Sequence, residues 1–505
     1  MRFVMSNRRA GKFQETTKRA SRDALAMAFA DLSPGMFVQS DSTPEDELAR
    51  RVVVFDAEPS EVQAKAANFG TDVIVEPEIL HYPMSLRSFR PFGTTQNQTA
   101  SPLSAGTGNT IKIRVLGNSV PLPHCTVNIT FKGSGTLRTT DTGTTNAQGR
   151  ISFNYSNVWT PSVIVAAPAG QFWTMVVFGP SATTEVNCPP LLEDGPLGWW
   201  HNQVGISQYK VTRGRGIKVG VVDTGCGPHP ALNHATLAGA FIDGAALPSA
   251  EAADVDSHGS HVCGTIGAKP AASGQYAGIA PGVSLFAARV FRDAESGANQ
   301  GDIANAVDSL SKVHAADLIN MSLGTPPGSP GSNIEHDAIK DAQERGTLCI
   351  CAAGNDNFDP VSFPSQFPEC VSVSALGLLG WGPAGSLASL RIPTGQTARF
   401  GNGNLYLANF SNFGGGLDCC GPGVGIVATV PERFGLTSPY AVMDGTSMAS
   451  PVVTGVLAAI LSGSTDYKNL QRDQTRAEKA RDMLKASLGP SGLAAMFQGG
   501  GMASV

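Results

Sequence analysis

The 505-residue chain is short of charge. Asp, Glu, Lys and Arg make up 15% of it, with 36 basic residues against 41 acidic ones and a formal net charge of −5. That balance offers no basic face to a phosphate backbone, so no nucleic-acid partner is expected. No run of about 18 apolar residues occurs, so no transmembrane helix and no membrane partner are expected. The N-terminus, Met1-Arg2-Phe3-Val4-Met5-Ser6-Asn7-Arg8-Arg9, lacks an apolar signal core, and Ala24–Phe29 is too short to be one. No export signal is therefore read, and the cytoplasm is the expected location. The Asn97-Gln98-Thr99 and Asn128-Ile129-Thr130 glycosylation patterns then carry no weight. The nine cysteines are odd in number and scattered. Cys263, Cys349 and Cys351 lie inside apolar runs as small hydrophobes do, so a disulfide framework is not expected.

What the chain does have is length and glycine. At this length two to four domains are expected. The 58 glycines follow no collagen period and imply many tight turns. Residues 1–23 are basic and polar and are expected to be mobile, with a short helix over Ser21–Leu32 stopped at Ser33-Pro34-Gly35. Residues 24–83 read as a small β-α-β module. It has a strand at Arg51–Phe55, a helix from Pro59 to Ala67 ended by Gly70, and a strand at Val73–Val75. Glu76–Pro83 trails from it. Residues 84–108 have linker composition. Over 109–186 the apolar period becomes two, as in Ile111-x-Ile113-x-Val115 and Val127-x-Ile129-x-Phe131. Turn residues separate these runs, which predicts a β-sandwich of about seven strands. The sandwich weakly resembles bacterial immunoglobulin-like or transthyretin-like modules.

From residue 187 onward, short apolar strands alternate with helices. The strands are Ile217–Val222, Leu285–Val290, Leu318–Ser322, Leu348–Ala353 and Val371–Ser374. The helices are Ser260–Ala268, Gly301–Ala315 and Ile334–Glu344. This predicts an α/β domain with a mostly parallel sheet between helices, and functional groups beyond the strands' carboxyl ends. Asn469–Ser487 reads as a final charged helix.

Four polar residues stand at such ends. Asp223 closes Val221-Val222-Asp223-Thr224-Gly225, and alone it would be a turn or cap residue. His258 opens a helix in Asp256-Ser257-His258-Gly259-Ser260-His261-Val262-Cys263-Gly264-Thr265, and alone it would be structural. Its pairing with His261, three residues on, raises a metal site, but no third ligand motif accompanies it, so no metal is expected. Asn355 follows Ala352-Ala353-Gly354. Ser447 sits in Asp444-Gly445-Thr446-Ser447-Met448-Ala449-Ser450-Pro451, a tight turn running into an apolar helix. Alone it would be an N-cap, yet free N–H groups and the helix dipole there also favour an oxyanion.

Taken together, the order Asp…His…Asn…Ser resembles the subtilisin-like serine proteases over residues 198–505. Val-Val-Asp-Thr-Gly, His-Gly-Ser-His-Val-Cys-Gly-Thr and Gly-Thr-Ser-Met-Ala-Ser-Pro carry the likeness. Met321-Ser322-Leu323-Gly324 and Ala352-Ala353-Gly354-Asn355 extend it. The resemblance implies a subtilisin-like fold and a serine endopeptidase acting on protein or peptide substrates. Ser447 would be the nucleophile, His258 the base and Asp223 its orienting carboxylate, with Asn355 in the oxyanion hole. Ser322, Leu323, Gly324, Ala353 and Gly354 would bind substrate, with Ala294–Gly297 as the opposite wall. No cofactor is required, and calcium is left open. The calcium loop of many relatives is replaced at Lys269–Gln275 by residues without acidic ligands. The family's pro-domain, a folding assistant and inhibitor, is similar to the 24–83 module. Ile79–Pro83 would then lie in the cleft, and the chain would be a self-inhibited zymogen opened in the 90–107 linker.

Three positions depart from the family pattern. Ser260 replaces Thr, Cys263 replaces Ala, and Val452 stands where many members have His. The glycine-rich segment Gly377–Leu407 reads as an insertion that forms a lid or an exosite. Two other readings stand beside the general endopeptidase: a catalytically silent binding protein of this family, and a processing protease dedicated to one target.

Overall fold

The computed structural model describes residues 1–7, 36–42, 50–65, 73–84, 108–293 and 295–505. The expected helix at Ser21–Leu32 and all but the first and last residues of the expected 84–108 linker lie outside these.

Nearly continuous apolar segments produce the central sheet. Its eleven strands include five neighbouring parallel ones in the order Ser284–Arg289, Lys218–Asp223, Leu318–Met321, Leu348–Ala352 and Cys370–Leu378. Leu318–Met321 and Leu348–Ala352 are buried at every position, as strands covered on both faces must be. One face packs the helices His258–Gly267 and Thr446–Gly463. The other packs Gln300–Asp308 and Asn333–Glu344. The expected helix at Gly301–Ala315 ends earlier, and its last turns, Ser309–Val313, widen into a π-helical segment. The expected helix at Asn469–Ser487 is two helices, Thr465–Asn469 and Gln474–Ala486, the second capped by Asp473. Thr446–Gly463 is apolar and long enough to cross a membrane, but 78% of it is buried inside the molecule. It is the core helix of this fold.

Residues 109–188 form two packed sheets. One joins Arg150–Tyr155, Asn109–Gly117 and Thr183–Cys188, with Val120–Pro121 at its margin. The other joins Met175–Phe178, Thr160–Ala167, Thr126–Lys132 and Arg138–Thr144. Alternating side chains such as Ile111, Ile113, Val127, Ile129 and Phe131 fill the space between them. The sandwich is joined to the peptidase sheet through Gly377–Leu407. Trp381 sits edge-on to both Trp173 and Trp200, and Val176 N–H donates to the Gly385 carbonyl at 2.9 Å. This segment was expected as a lid or exosite. Its contacts instead make it the seat of the sandwich, because its aromatic and small residues face apolar partners there.

Among its described residues the N-terminal module has a four-stranded sheet in the order Phe37–Ser42, Val52–Asp56, Arg2–Asn7, Val73–Pro77, and the helix Pro59–Lys65. Arg2–Asn7 corrects the expectation of a mobile segment at the start of 1–23, for it is an interior strand of this sheet; residues 8–23 lie outside the described residues. Phe3 and Met5 pack with Phe55 on the module's own core. Val4 points the other way with Val52 and Val54, against Ile303 and Val307. The basic residues from Arg8 onward mask this alternation in the sequence. Arg50, buried, pairs with Asp308 and Asp341 at 2.9 Å each.

Candidate active site

The site is assembled where parallel strands end and two helices begin. Asp223 closes Lys218–Asp223, and His258 opens its helix alongside. Asp223 Oδ1 lies 2.7 Å from His258 Nδ1 and also accepts Thr224 N–H. Both side chains are buried, so the imidazole is held in one orientation with Nε2 directed away from Asp223. The turn that delivers His258 is built by Asp254. Its carboxylate accepts the backbone N–H groups of Asp256, Ser257 and Ser260 and the Thr224 hydroxyl at 2.8–2.9 Å. Burial raises the Asp254 pKa, and those hydrogen bonds oppose the rise. Gly259 is required because a Cβ there would fall 2.1 Å from the Gly225 carbonyl oxygen.

Ser447 stands in the first turn of Thr446–Gly463, close to the end of Leu318–Met321. Asn320 joins the two elements: its Oδ1 accepts Ser450 Oγ at 2.7 Å and Thr454 Oγ1 at 3.0 Å, and its Nδ2 donates to Ser322 Oγ. Ser447 Oγ donates to the Ser322 carbonyl at 2.9 Å. His258 Nε2 is buried and makes no hydrogen bond among the described residues. Asn355 Oδ1 accepts both the Thr446 N–H and the Thr446 hydroxyl at 2.9 Å. That fixes the amide and leaves Nδ2 as a buried donor with no partner among the described residues.

The cleft beside these groups is filled by the chain itself. Leu80–Pro83 lies antiparallel between Ala298–Asn299 and Leu323–Gly324, with His81 opposite Ala298 and Tyr82 opposite Gly324. The next residue, Met84, donates its N–H to the Ser322 carbonyl at 3.1 Å, and its carbonyl accepts the Ser447 N–H at 3.2 Å. Its side chain is buried against Gly324, where an added Cβ would fall 2.6 Å from Met84 Cε.

The residues read from the sequence thus divide. Asp223 pairs with His258, Asn355 holds the turn that carries Ser447, and the helices that His258 and Ser447 open pack into one core. Ser322, Leu323 and Gly324 line the cleft strand. The peptide groups of Ala353 and Gly354 bond to Ser362, Thr446 and Asn412 rather than to that strand. The paired wall opposite is Ala298–Asn299, and Gly297, the last residue of the expected Ala294–Gly297 wall, also lies against the cleft strand, since a Cβ there would fall 2.8 Å from Leu80 Cβ; Ala294 lies outside the described residues. His261 turns away from His258 and sets Nε2 against the carbonyls of Ile426 and Ala441 at 3.0 and 3.2 Å. Cys263 is buried, and a hydrogen bond with Cys226 followed by burial pushes its thiol well up. Reading the sequence missed Asp254, Asn320 and Met84. Asp254 had a signal, an Asp shortly before a helix start, whereas nothing local marks Met84.

Comparison with known proteins agrees with this layout. A family model described as "Subtilase family" matches residues 214–497. Subtilisin Savinase of Lederbergia lenta is 33% identical over 300 residues, which covers 59% of this chain and 96% of that protein. M-protease of Shouchella clausii (strain KSM-K16) is 33% identical, over 59% of this chain and 68% of its own. The major intracellular serine protease of Bacillus subtilis (strain 168) is 31% identical, over 58% of this chain and 82% of its own.

Proposed function

Given that this chain belongs to the subtilase family and is a serine endopeptidase hydrolysing proteins, we propose that it works through Ser447, His258 and Asp223 and is made as a self-inhibited zymogen. Ser447 Oγ leaves the Ser322 carbonyl, turns to His258 Nε2 and attacks the substrate carbonyl carbon as its proton passes to His258. Asp223 holds the imidazole and stabilises its cation. The developing oxyanion takes hydrogen bonds from the Ser447 N–H and Asn355 Nδ2. His258 then gives the proton to the leaving amine, and water releases the acyl group from Ser447. No metal or cofactor takes part, so a chelator should leave the chemistry intact.

The observation that carries this reading is Met84. Its carbonyl accepts from the Ser447 N–H while Leu80–Pro83 pairs with both cleft walls. That is how a peptide waits to be cut after Met84, and how an uncut or product-like tail blocks a cleft. The bond we assign for self-cleavage is Met84–Ser85, upstream of the 90–107 stretch. The test is the intact mass and N-terminal sequence of the purified protein. The wild-type chain should yield a new N-terminus at Ser85, and Ser447→Ala should stay whole. Ser447→Ala should also lower peptide turnover by about a million-fold, the loss measured for the nucleophile of subtilisin and not a figure derived from this geometry. Substantial activity in Ser447→Ala would overturn the assignment.

A further inference from the structure

The fourth residue before the assigned bond, His81, is the most deeply buried side chain of the cleft strand. Its Nε2 lies 3.2 Å from Glu335 Oε2, and both side chains are fully buried. Glu335 stands in the first turn of Asn333–Glu344, behind a Ser332 cap. It is thus on a rigid element of the peptidase, not on the N-terminal module. Among the described residues the Glu335 carboxylate has no hydrogen-bond partner except His81, and its Oε1 has none. Burial is a main cause of the raised pKa values of the thiols Cys349, Cys351 and Cys370, and the Glu335 charge adds to each rise.

We propose that Glu335 is a specificity-determining residue that selects histidine at the fourth position before the cut bond. The proposal rests on the reading that residues 80–84 lie as a substrate does. A buried carboxylate without a partner is costly. When the module leaves, Glu335 loses its donor, and a substrate that returns one at that depth is favoured over one that seals the pocket with hydrocarbon. An imidazole N–H reaches it, as His81 does. A leucine there leaves the carboxylate buried and unpaired. A hydrogen bond to a charged acceptor corresponds to roughly ten- to a hundredfold in kcat/KM.

The test uses the self-processed enzyme separated from residues 1–84, and peptides Leu-X-Tyr-Pro-Met-Ser-Leu, with X as His, Gln, Ala or Leu. Wild type should cut the His peptide about ten- to a hundredfold better than the Leu peptide. Glu335→Leu should reverse that order, and Glu335→Gln, which keeps an acceptor, should retain a preference for His. A flat or leucine-preferring wild-type profile overturns the proposal without any variant, as does an unchanged profile in Glu335→Leu. If no peptide of the series is cut while an unfolded protein is digested, the substrate-like reading of residues 80–84 fails, and this proposal with it. A fluorophosphonate that does not label Ser447 would mark failure of the enzyme mechanism instead.

Discussion

At the scale of single residues, the site depends on polar atoms whose free side is set by what holds the other side. Asn355 is the clearest case. Its Oδ1 is committed to Thr446, so Nδ2 is left as a buried donor with no partner among the described residues, as the proposed oxyanion role requires. Asn355→Ala should therefore reduce kcat by roughly 100- to 1,000-fold and leave KM nearly unchanged, the range known for such a donor in subtilisin. A variant altered mainly in KM would make Asn355 a substrate-positioning residue. His201 shows the same logic in stability. It is buried against Trp200 and its Nδ1 accepts the Gly198 N–H at 3.0 Å. Burial pushes its pKa down from 6.5 to about 3. The denatured chain therefore binds the proton more tightly than the folded one. The stability His201 contributes is fully present above pH 6.5 and is lost as pH falls from there through 3. His201→Asn, which keeps an acceptor for Gly198, should flatten that part of the stability–pH curve, measured by urea unfolding in a Ser447→Ala background. An unchanged slope between those limits would mean that other groups carry the acid sensitivity.

At the scale of elements, the turn before Ser447 is braced from a distance. Arg391, in the segment that seats the sandwich, donates to Asp444 Oδ2 at 3.1 Å, while Gly425 N–H donates to Oδ1 at 2.8 Å. Both side chains are almost fully buried. Removing one partner of such a pair leaves an uncompensated charge. Arg391→Met should cost about 3–5 kcal/mol, and adding Asp444→Asn should recover part of it. If urea midpoints of single and double variants match wild type, the brace contributes nothing. Elements like these were unequally legible. The buried strands and helices around the site announced themselves by apolar runs, whereas the Asp473 cap that divides the last helical stretch in two went unread. The strand Arg2–Asn7 did not, because its pairing partners lie some 50 and 70 residues away in the chain and no local period outweighed the basic residues after it. The seat formed by Trp381 and Gly385 was equally hidden, since a glycine-rich segment has the same composition whether it covers a cleft or receives another unit.

At the scale of the whole molecule, the motifs around Asp223, His258, Asn355 and Ser447 could be read because each sits in a short signature. What fills the cleft could not be read to the residue, since the position of Met84 follows from how a separate sheet docks. Several contacts outside the cleft contribute to that docking. Val4, Val52 and Val54 enter the peptidase core. Arg50 lies between Asp308 and Asp341. Glu76 accepts Ser332 Oγ, Asn333 N–H and Asn333 Nδ2 at 2.7–2.8 Å, which places a carboxylate at the start of a helix. Gln300 donates to the Pro77 carbonyl and accepts the Ile79 N–H, aligning the tail with the cleft. These contacts hold the module by surfaces outside the cleft, so cutting after Met84 should not by itself release it. Residues 1–84, added to a chain starting at Ser85, should then inhibit competitively and tightly. Arg50→Ala should weaken that inhibition by on the order of 100-fold, because it removes the buried guanidinium's ion pairs with Asp308 and Asp341. Glu76→Gln should weaken it only a few-fold, the scale of a half-exposed charge at a helix N-terminus. Inhibition that is absent, or that does not compete with peptide substrate, would separate the module from the cleft and leave the position of Met84 without a role in control.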